Sequence, residues 1–459
     1  MKLRSVVRLS AGLLGLASIA VLAQTPPAPA AAAPAAPAAG ANPAAAPGAV
    51  PMDDKARFAA AKRRGPNDNF RPRGRHLIYV AEPGSLEQPG WRNGVGIVVL
   101  DANDNYSFVK RIPTWEYAAS MSPEQVSGMA ASPVTNMTYV AARGRIAAID
   151  MATDKMVWST QLDGKCCERP QVTADGKTIV VGGDLQTYWY SLDAMTGKLN
   201  GIMEAPESLG SHNLNLSADG KTAFMSPNGK VMTISDIQTR KAIKTIRFPD
   251  NIRVFVLNKD STKIYTNQNN FMGFIIADVA TGKLEKTVEV TSVNWRPKWN
   301  QVPRPRIPHG CPSHGIALTP DESEIWLVDG IFNKIHIFSN TDDPKEIDTI
   351  DTSAGAFWMT FGLDGKLVYA SSGDVIDVKT HKIVAKLKDE LGRPIYSEKL
   401  LDITFVDGHA QRVSNQFGNS FGDAVTAEAL GVGPHVTPKP GAAPITVTGV
   451  KSVSGMYKE

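Results

Sequence analysis

The feature that most constrains the fold is a repeat of about 40–45 residues that starts at His76. Each unit reads as an apolar strand, an Asp-Gly-type turn, two further strands separated by a short loop, a Thr-Gly-Lys-type turn and a fourth strand. Turns of this chemistry join antiparallel strands tightly. The first-turn aspartates follow one another at intervals of 44, 41, 61, 43 and 43 residues, at Asp175, Asp219, Asp260, Asp321, Asp364 and Asp407.

Counting the units predicts an all-β fold, a seven-bladed β-propeller of four-stranded antiparallel blades. Within the strands, apolar residues such as Ile179 and Val181 alternate with a period of two, as they do when one face packs on a neighbouring sheet. The segment from Lys399 to Gln416 resembles the opening half of a further unit, whereas the unit at His76 lacks its opening strand. We therefore expect strands from both ends to close the ring. The predicted blades are 76–115, 126–163, 166–205, 210–249, 251–290, 313–352 and 355–394.

Three stretches carry a family resemblance: SHGIALTPDESEIWLVDGIFNKIHIF, TYVAARGRIAAIDMATDKMV and IYTNQNNFMGFIIADVATGKL. They resemble the YVTN-type β-propeller repeat family, within the WD40/YVTN-like repeat class, over residues 76–416. The wider superfamily includes surface-layer proteins, lactonase-like enzymes, quinoprotein-like chains and haem-binding propellers. The resemblance therefore implies the fold, and the function has to be argued from the site.

The two ends of the chain differ in composition from the repeats. A cationic start, a short apolar run and the small-residue pattern before Gln24 predict a cleaved secretory signal peptide over 1–23. An Ala/Pro-rich disordered linker follows over 24–52 and a basic lead-in segment over 53–75. The propeller is predicted over 76–421 and a flexible C-terminal tail over 422–459.

Charge and hydropathy limit the location and the partners. The formal net charge is +4, and much of the excess lies in the signal peptide and the basic segment, so nucleic-acid binding is not indicated. No transmembrane segment is predicted after signal cleavage. We expect a monomer in the periplasm or a secreted protein, with a small molecule or an envelope protein as its partner.

Residues just before the first strand of each unit should converge at one mouth of the central channel. This rule selects Glu168, Arg169, His212, Arg253, His314 and Trp358 as ligand-binding candidates. The long interval between the fifth and sixth units adds Trp295, Trp299, Arg306 and His309 on a predicted lid, whose cations and aromatic rings suit an anionic or aromatic ligand. The alternative is a proline-pinned loop that packs its tryptophans on the propeller.

The three cysteines lie in the same zone and leave three chemistries open. Cys311 can form a disulfide with Cys166 or Cys167, and a vicinal Cys166-Cys167 bridge is a further option. A second possibility is a zinc or copper site with ligands His212, His314, Cys311 and Cys166. The third is plain buried thiols.

The sequence leaves two functions open. The first is an exported binding or interaction protein that captures a small ligand or a partner at the channel mouth. The second is a metal-dependent lactonase-like hydrolase or a metal or quinone oxidoreductase that uses the Cys/His cluster. The chain has no Cys-x-x-Cys-His motif for covalent haem, no Gly-x-Ser-x-Gly elbow, no Walker loop and no dinucleotide fingerprint. Catalytic residues are therefore not assigned.

Overall fold

The computed structural model describes residues 74–83, 93–115, 125–162, 166–183, 188–207, 210–217, 219–226, 229–301, 310–418 and 445–446. The chain divides into two units, Met1–Pro51 and Met52–Glu459, and all described residues belong to the second. The predicted signal peptide and linker, nearly all of the basic segment and, apart from residues 445 and 446, the predicted tail lie outside them.

The described strands form seven antiparallel sheets arranged as the blades of a propeller, as the repeat predicts. Blade 1 combines β1 (Arg75–Glu82), β2 (Gly96–Asp101) and β3 (Ser107–Ile112) with β28 (Leu400–Val406) and β29 (His409–Val413). Blade 2 contains β4 (Gly128–Ser132), β5 (Met137–Ala142), β6 (Arg145–Asp150) and β7 (Met156–Gln161), and a two-residue strand, β30 (Ile445–Thr446), pairs in parallel with β7. Blade 3 contains β8 (Cys166–Val172), β9 (Thr178–Gly183), β10 (Tyr188–Asp193) and β11 (Leu199–Glu204).

The remaining four blades each contain four consecutive strands. Blade 4 contains β12 (Asn213–Leu216), β13 (Thr222–Ser226), β14 (Val231–Asp236) and β15 (Ala242–Arg247). Blade 5 contains β16 (Ile252–Leu257), β17 (Lys263–Gln268), β18 (Gly273–Asp278) and β19 (Leu284–Glu289). Blade 6 contains β20 (Ile316–Leu318), β21 (Glu324–Asp329), β22 (Lys334–Ser339) and β23 (Glu346–Asp351), and blade 7 contains β24 (Met359–Phe361), β25 (Leu367–Ala370), β26 (Asp374–Asp377) and β27 (Lys382–Lys386).

The ring closes as the sequence predicts, because β28 pairs with β1 and takes the place of the missing first strand of blade 1. Strand β29 adds a fifth strand on the other side of β28. Asn136 of blade 2 bonds the backbone at Gly408 and Ala410, and Phe361 of blade 7 donates its backbone N–H to Phe417. Since blades 2 and 7 flank blade 1, the chain from β29 to Gly418 packs along the inside of the ring.

Acidic residues cap the turns between strands. Asp193, Asp236 and Asp278 each accept the backbone N–H of the threonine three residues later, at 2.8, 2.8 and 2.7 Å. Short Asp side chains that bond the backbone two or three residues ahead stabilise such turns. These carboxylates therefore have a structural role, which is to stabilise turns within the blades.

Apolar side chains fill the space between neighbouring blades. Between blades 5 and 6, for example, the core includes Val254 and Phe274 from one sheet and Leu327 and Phe338 from the other. Among the described residues, no helix is long and apolar enough to cross a bilayer. The short α1 (Trp295–Trp299) connects blade 5 with the segment that leads to blade 6.

Candidate ligand-binding site at the channel mouth

Side chains from blades that are not neighbours in the ring meet at the central axis. The Arg169 guanidinium of blade 3 donates through Nη2 to Glu398 Oε2, just before the first strand of blade 1, at 2.7 Å. Its other terminal nitrogen, Nη1, bonds Gln416 Oε1 at 3.3 Å. The guanidinium carbon also lies 3.8 Å from the ring centre of Trp358 in blade 7, within the range of a cation–π interaction.

A second contact crosses the axis between blades 4 and 6. His212 Nε2 lies 2.9 Å from His314 Nε2. Glu168 links this pair to the arginine, since its Oε1 is 3.8 Å from His212 Nδ1 and 3.6 Å from Arg169 Nε. We call the set of Glu168, Arg169, His212, His314, Trp358, Glu398 and Lys399 the axial cluster.

The axial cluster is almost completely buried. Arg169, His212 and His314 are each 1% exposed, and Glu398 and Lys399 are 4% and 2% exposed. Glu168 is the most exposed charged member, at 19% of its side chain. Any ligand that approaches from the solvent would therefore reach Glu168 first.

The buried charges perturb one another strongly. Burial alone would raise the pKa of Glu398, but the neighbouring charges of Lys399, Arg169 and His314 outweigh it and lower the pKa to about 2. Burial and the charge of Arg169 lower the pKa of Lys399, while Glu398 opposes that shift. The cluster thus holds an ionised carboxylate between two cationic side chains, a costly arrangement inside a protein.

Local backbone geometry positions Arg169. Its φ is +42°, in the left-handed region that costs a non-glycine residue roughly 1–2 kcal/mol. Gly128 of β4 lies against it so closely that a Cβ atom there would come within 2.4 Å of the Arg169 backbone. Strained residues of this kind gather at functional sites.

Of the cysteine pairings considered, the structure contains the vicinal disulfide. Cys166 and Cys167 form a disulfide with each other, and Cys311 is a buried free thiol. The predicted bridge from Cys311 to either partner does not form, because Cys311 Sγ points at the Gln268 carbonyl, 3.2 Å away, in blade 5. Burial raises the pKa of Cys311 to about 12, against the opposing charge of Arg253.

The described part of the lid segment packs on the propeller. Trp295 and Trp299 are buried in the apolar core between blades 5 and 6, and the Trp295 indole N–H donates to Glu289 at 3.0 Å. Arg253, at the start of blade 5, bonds Asn269 at 2.7 Å. Arg306 and His309 lie outside the described residues.

The structure brings together five of the predicted site residues and adds two that sequence reasoning missed. Glu168, Arg169, His212, His314 and Trp358 meet at the axis. The missed residues are Glu398 and Lys399, although they precede β28 just as the other candidates precede their strands. Applying the same rule to the closing half-unit would have found them.

In the described part of the chain, no group of three or more His, Cys, Asp or Glu side chains is arranged to hold a metal ion. The structure therefore does not bring the four predicted metal ligands together, which are His212, His314, Cys311 and Cys166. The two histidines meet, Cys166 is tied to Cys167, and Cys311 bonds the backbone of blade 5.

No protein-family model and no curated protein matches the chain. Among solved structures, it is similar to a chain of hydrazine synthase from Kuenenia stuttgartiensis, with 15% identity and a TM-score of 0.49 over 63% of this chain and 88% of that one. It is also similar to a chain in a crystal structure of the mitotic checkpoint complex, with 14% identity and a TM-score of 0.49 over 60% of this chain and 82% of that one. Identities this low carry no information about function.

Proposed function

We propose that this protein is an exported binding module of the YVTN type whose propeller captures a small ligand, or an exposed group of an envelope partner, at the axial cluster. The observation that supports this most is the buried Arg169–Glu398–Lys399 group at the ring centre. Buried ion pairs rarely improve stability over apolar packing. Their placement where inner strands from several blades converge favours a binding role.

The balance of donors and acceptors favours a ligand that carries an acceptor group such as a carboxylate. An arginine offers five N–H donors and a lysine three. Arg169 donates to the Glu398 carboxylate and to the Gln416 amide oxygen, and Lys399 donates to the same Glu398 carboxylate. Within the described residues, Arg169 Nε finds no hydrogen-bond acceptor, so a carboxylate that displaces Glu168 would complete its bonding.

Export is supported by the sequence of the first 23 residues, and the Ala/Pro-rich stretch over 24–52 would act as a tether between the envelope and the propeller. The propeller would then extend over 76–421, with a flexible tail over 422–459. We propose the periplasm or the cell exterior as the location.

A metal-dependent enzyme is the second candidate, and the contact between His212 and His314 is the observation in its favour. Its predicted cysteine ligands are engaged elsewhere, so any metal at the axis would depend on histidine nitrogen.

Two substitutions with opposite expected effects on ligand affinity test the binding proposal. Isothermal titration of the full chain with a panel of mono- and dicarboxylates should find at least one that binds. Arg169→Gln should weaken that binding, whereas Glu168→Gln should tighten it by about 3–10-fold, because a like charge is removed. Lys241→Gln, whose wild-type side chain pairs with Glu204 at the outer rim, should leave it unchanged.

Two results would refute the proposal. One is a panel without any ligand that binds more tightly than about 1 mM. The other is a Glu168→Gln variant that binds the carboxylate more weakly than the wild type does.

A further inference from the structure

Lys399 is a buried nucleophile that carboxylate capture at Arg169 does not use. Its side chain is 2% exposed, and no other lysine in the described part of the chain is buried. Lysines whose protonation is perturbed by burial are suited to attack carbonyl groups and to form Schiff bases with them. Lys399 is therefore a candidate for covalent chemistry at the axis.

The ammonium of Lys399 lies beside the guanidinium of Arg169. Glu398 Oε2 accepts from Lys399 Nζ at 2.9 Å and from Arg169 Nη2 at 2.7 Å. Because both nitrogens bond the same oxygen, they are less than about 6 Å apart. A 2-oxo acid carries its carbonyl directly next to its carboxylate. A carboxylate held by Arg169 therefore brings the carbonyl carbon of such an acid within reach of Lys399 Nζ.

The charges around Nζ favour the neutral amine that attacks a carbonyl. Burial and then the charge of Arg169 lower the pKa of Lys399, whereas the carboxylates of Glu398 and Glu168 oppose this shift. Glu168 thus lies close enough to act on Lys399, and its side chain is the most exposed of these charged groups. A ligand that displaces Glu168 from Arg169 would arrive next to Nζ.

Condensation with a carbonyl compound preserves the charge balance of the axial cluster. Nζ first loses a proton, and its lone pair then forms a bond to the carbonyl carbon. The carbonyl oxygen leaves as water with two of the three ammonium protons, and a C=N bond remains. The product is an iminium ion with the same positive charge as the lysine, so Glu398 keeps a cationic partner.

We propose that Lys399 forms an imine with 2-oxo acids whose carboxylate is held by Arg169. The inference rests on the proposed capture of a carboxylate at the axial cluster, and it names the class of ligand that the site takes. Arg169 selects the carboxylate and Lys399 selects the carbonyl. Hydroxy acids and simple ketones each offer only one of the two groups and should be held less well.

Reductive trapping of the full chain tests the imine. The protein is incubated with pyruvate and cyanoborohydride, which reduces an imine to a stable amine, and the adduct is located by mass spectrometry. We expect one adduct per chain, on Lys399, formed at least about tenfold faster than with acetone, which lacks the carboxylate. Lys399→Arg keeps the positive charge and should abolish the adduct. The matched control is Lys110→Arg, since Lys110 pairs with Asp154 on strand β3, and this variant should react as the wild type does.

A second measurement uses only the wild type and does not require the reductant to reach the axis. With pyruvate that carries ¹³C at its carbonyl carbon, the NMR spectrum should show the signal of a protein-bound imine. Excess lactate should suppress this signal, because lactate offers a carboxylate without a carbonyl and competes for Arg169.

The outcomes separate this inference from the binding proposal. If lactate binds but pyruvate gives neither a trapped adduct nor an imine signal, the covalent step is wrong and carboxylate capture stands. If lactate binds more weakly than about 1 mM and no adduct forms, both are wrong. Trapping that Arg169→Gln does not slow, or that labels Lys110 as fast as Lys399, would also overturn the assignment to 2-oxo acids at the axis.

Discussion

At the residue scale, Arg169 connects three distant parts of the ring. It bonds Glu398 and Gln416 from the closing segment and lies against Trp358 of blade 7. Glu168 and Arg169 follow the Cys166–Cys167 disulfide in β8, so the disulfide lies next to the backbone that carries both charged side chains.

A double-mutant cycle measures the coupling between Arg169 and Glu398. Arg169→Met removes one hydrogen-bonded cation from the buried Glu398 carboxylate and leaves Lys399 bonded to it, and Glu398→Gln removes the carboxylate that both side chains bond. Each single change should lower the free energy of unfolding by about 3–5 kcal/mol. The double variant should lose clearly less than the sum, as measured by guanidinium unfolding. Additive losses would show that the two side chains do not interact.

At the element scale, the blades could be predicted from the sequence because their signals are local. Turn aspartates and threonines bond only a few residues along the chain, so their period reports the strands directly. The closing strand could be predicted for the same reason, since β28 retains the pattern of a first strand.

Contacts across the ring could not be derived from local patterns. The rule about residues before each first strand placed Arg169 at the mouth, but it did not include Glu398 and Gln416, which bond it. Which two cysteines form the disulfide depends on backbone positions that differ by only a few ångströms. Cys311 remains apart because its thiol bonds the Gln268 carbonyl in blade 5. Trp295 and Trp299 resemble ligand-binding aromatics in sequence, yet an apolar gap between blades 5 and 6 accommodates them.

Blade 6 provides a test of pH-dependent stability within one sheet. His336 of β22 bonds Asp329 of β21 at 3.2 Å and Glu346 of β23 at 2.7 Å. Burial alone would lower its pKa, but the two carboxylates outweigh that effect and raise it. The ionic contribution should therefore be complete below about pH 6.5 and lost as the pH rises through the pKa of the folded state.

The measurement is the difference in unfolding free energy between the wild type and His336→Gln. We expect the largest difference near pH 6 and a smaller one near pH 9. Asp329→Asn should reduce the pH dependence as well, because it removes one of the two carboxylates. A difference that does not change with pH would contradict the assigned charge on His336.

At the scale of the whole molecule, the ring depends on strands that are more than 300 residues apart in sequence. Asp402 of β28 bonds His76 of β1 at 2.5 Å and accepts the Leu363 backbone N–H at 2.9 Å. The same closing segment delivers Glu398, Lys399 and Gln416 to the axis. Closure of the propeller and assembly of the candidate site are therefore one structural event.

Two truncated chains distinguish the contribution of the closing strands to stability from that of the C-terminal tail. A chain that ends at Lys399 retains Glu398 and Lys399 but loses β28 and β29, which leaves β1 with an unpaired edge. Because exposed edges promote aggregation, we expect this chain to lose cooperative thermal unfolding and to aggregate. A chain that ends at Gly418 keeps both strands. Its melting temperature should lie within a few degrees of that of the full chain, a shift that corresponds to about 1 kcal/mol.

A single substitution keeps this test informative if the shorter chain cannot be purified. Asp402→Ala removes a fully buried carboxylate from its bonds to His76 and Leu363 and should lower the free energy of unfolding by about 3 kcal/mol. The same variant should also weaken carboxylate binding at the axis, because a loosened β28 no longer holds Glu398 and Lys399 against Arg169. If Asp402→Ala lowers stability and leaves ligand binding intact, the axial cluster assembles without the closing strand, and closure and site formation are separate events.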